Sequence, residues 1–240
     1  MHFDKINDVI VIKKRFWDGY QTKAGAHYYA YSPYKTGYSK VTGDIILPYT
    51  LNTGNRNAYI SFGVLGINGI VDIGIMNGGN GWRPCYYDVK NKDFHAFNEF
   101  APSNTTRLVI VIDVYQNRKI DFYISFRNDN FDILKSFETQ IDASHILEYE
   151  KNKVKNRFYR FASLVPKGID DQNDGTYMIG GKFNNLIIIN NNKEENWGIG
   201  YNNIDVAWKV SSNRIDFDYY NNDEYFDIKH YIKFYFFLKK

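Results

Sequence analysis

The sequence has a single cysteine, few prolines and no repeated segment. Cys85 is the one cysteine among 240 residues, which excludes an internal disulfide framework. A chain of this length can bury a sizeable core without disulfides or metals. Because no Pro-rich linker, repeat or change of composition marks a boundary, we predict a single domain over residues 1–240.

Long apolar runs are also missing. A short run such as residues 9–12 falls far below the ~20 apolar residues that a membrane helix needs. Residues 1–8 include acidic side chains and lack the apolar stretch and small-residue cleavage site of a signal peptide. We expect no membrane insertion and a soluble protein, either cytoplasmic or released without a classical signal; the sequence leaves the compartment open.

Charge of either sign is not in excess, with 30 Lys and Arg against 27 Asp and Glu. Nucleic-acid binders usually carry a larger or more clustered basic surplus. The nearest basic cluster, residues 151–157, is interpreted as a solvated loop or an edge strand that lysines keep from pairing with other chains. No nucleic-acid partner is expected.

Side chains that could hold a metal or a cofactor are scattered. No two of the five histidines lie at ligand spacing, and Cys85 has no Cys or His nearby, so no metal site is expected. The histidines are His2, His27, His95, His145 and His230. A Gly-x-Ser-x-Gly elbow is absent, and the Gly-rich residues 77–81 lack the Lys-Ser/Thr of a phosphate loop. We expect no cofactor and interpret Cys85 as a free thiol that is buried or partly buried.

Aromatic residues and alternating patterns are abundant. The chain has 21 Tyr and 18 Phe, which suit a pleated, half-buried surface, and helical periodicity is nearly absent. Asn- and Gly-rich turns separate short alternating runs, as in a sandwich or barrel. The predicted strands are residues 8–13, 27–31, 39–47, 58–66, 70–76, 94–100, 106–115, 119–125, 158–164, 177–179, 185–190, 205–210, 214–219 and 231–237. We predict an all-β, two-sheet antiparallel β-sandwich.

One segment is ambiguous. Residues 131–149 place apolar side chains at a loose spacing of three or four, which allows a helix. The same residues are equally compatible with an extended strand followed by a crossover loop.

Several segments, in chain order, resemble the glutamic peptidases called eqolisins. The most specific is residues 37–48, which resembles the family's Gly-Tyr-x-Lys-Val-x-Gly-x-φ-x-φ-Pro pattern, where φ is apolar. Weaker matches are Trp17-Asp18-Gly19 and residues 58–69, 71–75, 94–102 and 179–191. Together they span residues 15–191. The resemblance implies a concanavalin A-like jelly roll with a cleft across its concave sheet.

The family's catalytic Gln and Glu are not matched in this sequence. Counting back from the segment that resembles Gly-Ile-Asp-Gly reaches Asn55, with Asn57 nearby, where the family has Gln. Asn is one methylene shorter, enough to misplace an oxyanion contact. The strand expected to carry Glu, residues 158–165, has no carboxylate, so the mechanism lacks its general acid or base. The resemblance therefore predicts a pseudoenzyme.

Three functions remain open from the sequence. The first is a non-catalytic binding module whose cleft takes a glycan or a peptide on rings and amides. Its candidate ligand-binding residues are Asn55, Asn57, Trp82, Tyr86, Tyr87, Phe97, Glu99, Arg160 and Trp208. The second is a structural protein that self-associates through tyrosines. The third is an acid endopeptidase or glycosidase with a relocated carboxylate pair, either Glu99 with Asp72 or Asp216 with Asp218.

Overall fold

The computed structural model describes most of the chain. It covers residues 3–6, 9–12, 26–32, 37–54, 56–115, 117–147, 149–150, 153–154, 156–166, 176–190, 192–197, 205–210, 214–220 and 223–229. Within these residues the chain forms strands and turns and no helix. Accordingly, this part of the chain holds no helix that is long and apolar enough to cross a membrane.

The strands are short and follow one another closely along the chain. They are β1 (Phe3–Ile6), β2 (Val9–Ile12), β3 (Ala26–Tyr31), β4 (Tyr38–Ile46), β5 (Thr50–Asn52), β6 (Arg56–Gly66), β7 (Gly69–Asn77), β8 (Trp82–Asp88), β9 (Asp93–Ala96), β10 (Arg107–Val114), β11 (Lys119–Arg127), β12 (Ile133–Asp142), β13 (Tyr149–Glu150), β14 (Lys153–Val154), β15 (Arg157–Pro166), β16 (Tyr177–Asn190), β17 (Lys193–Asn196), β18 (Asp205–Val210), β19 (Arg214–Tyr220) and β20 (Asp223–Lys229).

Two antiparallel sheets contain all of these strands except β13 and β14, which form a separate ribbon. The eleven-stranded sheet runs β1-β2-β19-β20-β16-β4-β10-β11-β12, with β5 and β17 also paired to β16. The seven-stranded sheet runs β18-β3-β15-β6-β7-β8-β9. The predicted all-β sandwich of two antiparallel sheets is confirmed.

The core lies between the inner faces of the two sheets. Alternate residues of β6 and β10 are fully buried, as expected for strands with one face in a core. Phe62 in β6 meets Phe183 in β16, with ring centroids 6.0 Å apart. A Cβ on Gly43 in β4 would lie only 2.8 Å from the ring of Phe62. Gly43 therefore leaves room for the Phe62 ring at the centre of the sandwich.

Most of the predicted strands are present within a residue or two, and the differences have local causes. Residues 177–190 form one strand rather than two, because the chain bulges between Met178 and Gly181 and then continues. The strand β8 was not predicted, because Pro84 interrupts its alternating pattern. The strand predicted at residues 94–100 is the shorter β9, and residues 231–237 lie outside the described residues.

The ambiguous segment is not helical in its described residues, 131–147 and 149. It forms β12 and then a turn at residues 144–146. Its exposed and half-buried side chains alternate along the strand, which lies at the edge of the eleven-stranded sheet. The extended interpretation is therefore the one the structure shows.

Candidate functional site

The two strands to which the resemblance assigns the catalytic pair are neighbours in the seven-stranded sheet. β6 pairs with β15, and Asn57 lies opposite Val165. In β6 the fully buried Ala58, Ile60 and Phe62 face the core. Because strand residues alternate between faces, Asn57 and its alternate neighbours lie on the outer face, turned away from the other sheet.

A tyrosine crosses this outer face from β15 to β7. Tyr159 lies opposite Gly63 in β6, and Gly63 lies opposite Asp72 in β7. A Cβ on Gly63 would collide with the ring of Tyr159. The ring therefore lies across Gly63, and its hydroxyl donates a hydrogen bond to Oδ1 of Asp72.

The carboxyl of Asp72 titrates near neutral pH. Burial of the group raises its pKa to about 7, because a desolvated carboxylate is less stable than the neutral acid. The hydrogen bond from Tyr159 opposes this shift, since it favours the charged form. At neutral pH the outer face thus holds a carboxyl that can either donate or accept a hydrogen bond.

A row of small residues runs across the same face. Ser61, Gly74, Cys85 and Ala96 lie opposite one another on β6, β7, β8 and β9. At Gly74 a Cβ would collide with the backbone oxygen of Ile60 and with Oγ of Ser61, so only glycine allows this close strand approach.

Three rings approach over the row of small residues, and we call Tyr59, Tyr87 and Phe94 the aromatic platform. Tyr59 and Phe94 start from opposite sides of the row and meet edge to face, with centroids 6.2 Å apart. Tyr87 and Phe94 lie 6.4 Å apart. The Nδ2 of Asn57 donates a hydrogen bond of 3.2 Å to the Tyr59 hydroxyl, and burial raises the pKa of Tyr59 to about 12.

The cysteine lies below these rings, and the histidine of its hairpin lies on the other face of the sheet. Cys85 is 3% exposed, and burial with the neighbouring Asp72 charge raises the pKa of its thiol. His95 belongs to the same hairpin but pairs with Tyr86, stacks on its ring and contacts Asp93. Adjacent residues point to opposite faces of a strand, so Cys85 and the Tyr86–His95 pair are on different faces.

The described fold matches solved structures. No protein-family model matches the chain, and no curated protein matches it significantly. Scytalido-glutamic peptidase with a transition-state analog inhibitor aligns over 87% of this chain and 100% of its own, with a TM-score of 0.58 and 8% identity. SCP-B, a member of the eqolisin family of peptidases solved with the tripeptide Ala-Ile-His, aligns over 87% and 98%, with a TM-score of 0.53 and 8% identity.

The chain has an eqolisin-like fold. This confirms the resemblance found in the sequence and the two-sheet β-sandwich that it implied. At identities below one tenth, the similarity establishes the fold and carries no activity with it.

The eqolisin-like sheet separates the predicted site residues between its two faces. Asn57 and Tyr87 lie on the outer face, beside or within the aromatic platform. Trp82 is 8% exposed and belongs to the core, and Tyr86 packs against that core. Arg160 is fully buried, with its guanidinium 4.7 Å from the ring of Trp197. These last three therefore do not line the outer face.

The remaining predicted site residues lie away from the platform or outside the described residues. Phe97 packs its ring 4.7 Å from that of Phe137, and Glu99 is partly exposed in the segment after β9. Trp208 pairs with Tyr28 in β3, but its side chain is outside the described residues, as is the whole of Asn55.

Of the two predicted carboxylate pairs, only Asp72 and Glu99 have described side chains, and they are not assembled into a pair. No hydrogen bond joins Asp72 to Glu99 among the described residues, and Asp72 contacts Tyr159 instead. Asp216 and Asp218 lie on β19, but their side chains are outside the described residues. Likewise, no group of three or more His, Cys, Asp and Glu side chains in the described ranges could hold a metal ion.

Sequence reasoning missed Tyr59, Phe94 and the contact between Tyr159 and Asp72. The alternation within β6 could have placed Tyr59 on the same face as Asn57. The contact between Tyr159 and Asp72 required the order of β15, β6 and β7 in the sheet, which no local pattern contains.

Proposed function

We propose that this protein is a non-catalytic binding module that takes an extended peptide on the outer face of the seven-stranded sheet. The observation that carries the proposal is the aromatic platform, because Tyr59, Tyr87 and Phe94 gather on a single face around a row of small residues. Aromatic rings provide large contact areas at low cost in side-chain entropy.

The polar groups beside the platform suit a peptide backbone. Asn57 presents an amide, and Asp72, with a pKa of about 7, can donate or accept near neutral pH. A peptide backbone needs both hydrogen-bond acceptors and hydrogen-bond donors as partners, since its N–H donates and its carbonyl accepts. The eqolisin SCP-B was solved with a tripeptide and scytalido-glutamic peptidase with a peptide-based analog, which supports peptide over glycan.

The surroundings of Asp72 support binding without cleavage. Glutamic peptidases need a carboxyl beside a side-chain amide to activate water and stabilise the oxyanion. The partner of Asp72 is the hydroxyl of Tyr159, and the amide of Asn57 bonds to Tyr59. These contacts leave the acid and the amide engaged with different tyrosines.

A peptide panel measured by fluorescence anisotropy, together with two matched Tyr→Ala variants, tests the proposal. Tyr87→Ala should weaken peptide binding by about tenfold or more, as expected when a central ring is removed from a contact surface. Tyr115→Ala, which removes an exposed ring from the other sheet, should leave it unchanged. Equal losses in both variants, or no binding peptide in the panel, would refute a site on this face.

A second candidate is an acid-dependent hydrolase, and the raised pKa of Asp72 is the observation that favours it. A carboxyl that is protonated below neutral pH can serve as a general acid. Cleavage of denatured casein or a polysaccharide at acid pH, lost in Asp72→Asn but kept in Glu99→Gln, would support this candidate. No cleavage by the unmodified chain would exclude it.

A further inference from the structure

A second concave surface lies on the opposite side of the sandwich, on the outer face of the eleven-stranded sheet. It is an open cavity of about 480 Å³, within the range of small-ligand sites. Its lining combines rings, carboxyls, an amide and an ammonium group: Lys40, Val111, Asp113, Tyr115, Asp121, Phe122, Tyr123, Glu138, Thr139 and Gln140. None of these residues takes part in the aromatic platform.

Four polar residues form a row across the floor of this cavity. Lys40, Asp113, Asp121 and Gln140 lie opposite one another on β4, β10, β11 and β12. The Nζ of Lys40 lies 3.2 Å from Oδ2 of Asp113. The Nε2 of Gln140 donates to Oδ1 of Asp121 at 2.8 Å. These contacts hold the side chains in place, which lowers the entropy cost of binding a ligand.

Next to this polar row, the paired residues Val111 and Tyr123 supply an apolar wall of the cavity. Tyr123 lies opposite Val111 on one side and opposite Glu138 on the other. Tyr115, at the end of the cavity, is 44% exposed. Glu138 is exposed and has no hydrogen-bond or ion-pair partner among the described residues. A flat ligand can therefore rest on rings while its edge meets carboxylates and an amide.

The charges in the cavity discriminate between ligand classes. Asp113 and Asp121 lie directly opposite each other, and Glu138 is close by, whereas Lys40 is the single cation in the lining. The charges of Asp113 and Asp121 raise the pKa of the Tyr115 hydroxyl. An acidic ligand is therefore repelled, and a neutral ligand with many hydroxyl groups can donate to these carboxylates.

We propose that this cavity, formed by β4, β10, β11 and β12, binds a short neutral saccharide. Sugar rings offer the two features that the lining matches, an apolar face for Tyr115 or Tyr123 and hydroxyl groups for Asp121, Glu138 and Gln140. The site is independent of the peptide surface, because the two lie on outer faces of different sheets.

The test is an NMR titration of the full chain with a panel of neutral and acidic oligosaccharides. A neutral saccharide should shift amide resonances of β10, β11 and β12 and leave those of β7 and β8 unchanged. Tyr115→Ala and Glu138→Gln should each weaken binding by about tenfold, comparable to one lost ring or one lost hydrogen bond to a charged group.

Two matched variants act as controls. Tyr49→Ala removes another exposed ring, and Asp129→Asn another exposed carboxylate, in the turn after the far end of β11; neither residue belongs to the lining. Both should bind like the unmodified chain, and thermal unfolding should show that all four variants are folded. The proposal is overturned if no neutral saccharide shifts these strands at millimolar concentration, if acidic sugars bind as well as neutral ones, or if the control variants lose binding equally.

Discussion

Tyr159 in β15 donates a hydrogen bond to Asp72 in β7, reaching across the intervening strand β6. A side chain does not normally pass over a neighbouring strand, because the Cβ atoms of that strand stand in its path. Here the crossing point is Gly63, which has no Cβ. The absence of one side chain in β6 thus allows the contact between the strands on either side.

Gly63→Ala should destabilise the fold. The new methyl group would collide with the Tyr159 ring, and forced repacking of this kind typically costs about 1–3 kcal/mol. Urea unfolding measures the free energy of unfolding. In the double variant with Tyr159→Ala, the added methyl should cost much less, because the ring that it displaces is gone. Additive costs in the two variants would contradict this packing.

Asp72 should make the protein less stable as pH rises towards neutrality. Its pKa is about 7 in the folded state, whereas an aspartate in an unfolded chain has a pKa of about 3.9. Between these two pH values the folded chain therefore binds more protons than the unfolded chain. The free energy of unfolding therefore falls as pH rises through this window. Asp72→Asn should remove that slope, which chemical denaturation at a series of pH values would reveal. Parallel curves for the two proteins would show that Asp72 titrates normally.

Cys85 should be unreactive in the folded protein. The thiolate is the reactive form, and both burial and the raised pKa of the thiol suppress it. Labelling with a thiol-specific chromogenic reagent should be slow in buffer and fast in denaturant. Phe94→Ala removes one ring from above Cys85 and should accelerate labelling, whereas Phe131→Ala, on the other sheet, should not. Rapid labelling of the unmodified chain would show that the platform is open.

His145 and Asp88 should stabilise the junction between two turns. The Nε2 of His145 lies 2.6 Å from Oδ2 of Asp88, whose other oxygen accepts from the backbone of Lys90 and Asn91. His145→Ala leaves a largely buried carboxylate without this partner and should cost about 1–3 kcal/mol.

The His95–Asp93 contact is the matched control for that variant. Its atoms lie 2.7 Å apart, but both side chains are roughly half exposed to solvent. Exposed pairs contribute about 0–1 kcal/mol, so Asp93→Ala, which keeps the stacking of His95 on Tyr86, should cost less than His145→Ala. Equal costs in urea unfolding would mean that burial does not strengthen the Asp88 contact.

The sequence predicted the sheets better than the site because the two depend on different information. Alternating side chains are a local signal, and they located strands such as β10 and β11 within two residues. Where local rules were broken, at Pro84 in β8 or at the bulge after Met178 in β16, strands were missed or divided.

The candidate site depends on which strands are neighbours. Tyr59, Tyr87 and Phe94 come from three strands, and their meeting is set by sheet order and register. The family resemblance assigned the catalytic pair to β6 and β15, which are neighbours in the sheet. The resemblance gave no sign of the Tyr159 ring over Gly63. It directs attention to a Glu on β15, and Tyr159 matches no residue of that motif.

The position of β4 has a consequence for synthesis of the chain. β4 is paired on one side with β10 and on the other with β16, and the contact of Asp44 with Asn184 spans 140 residues. On the ribosome, β4 therefore emerges long before its second partner, and one edge of the strand stays open throughout that interval. We therefore expect aggregation through the open edge of β4 to compete with folding during synthesis.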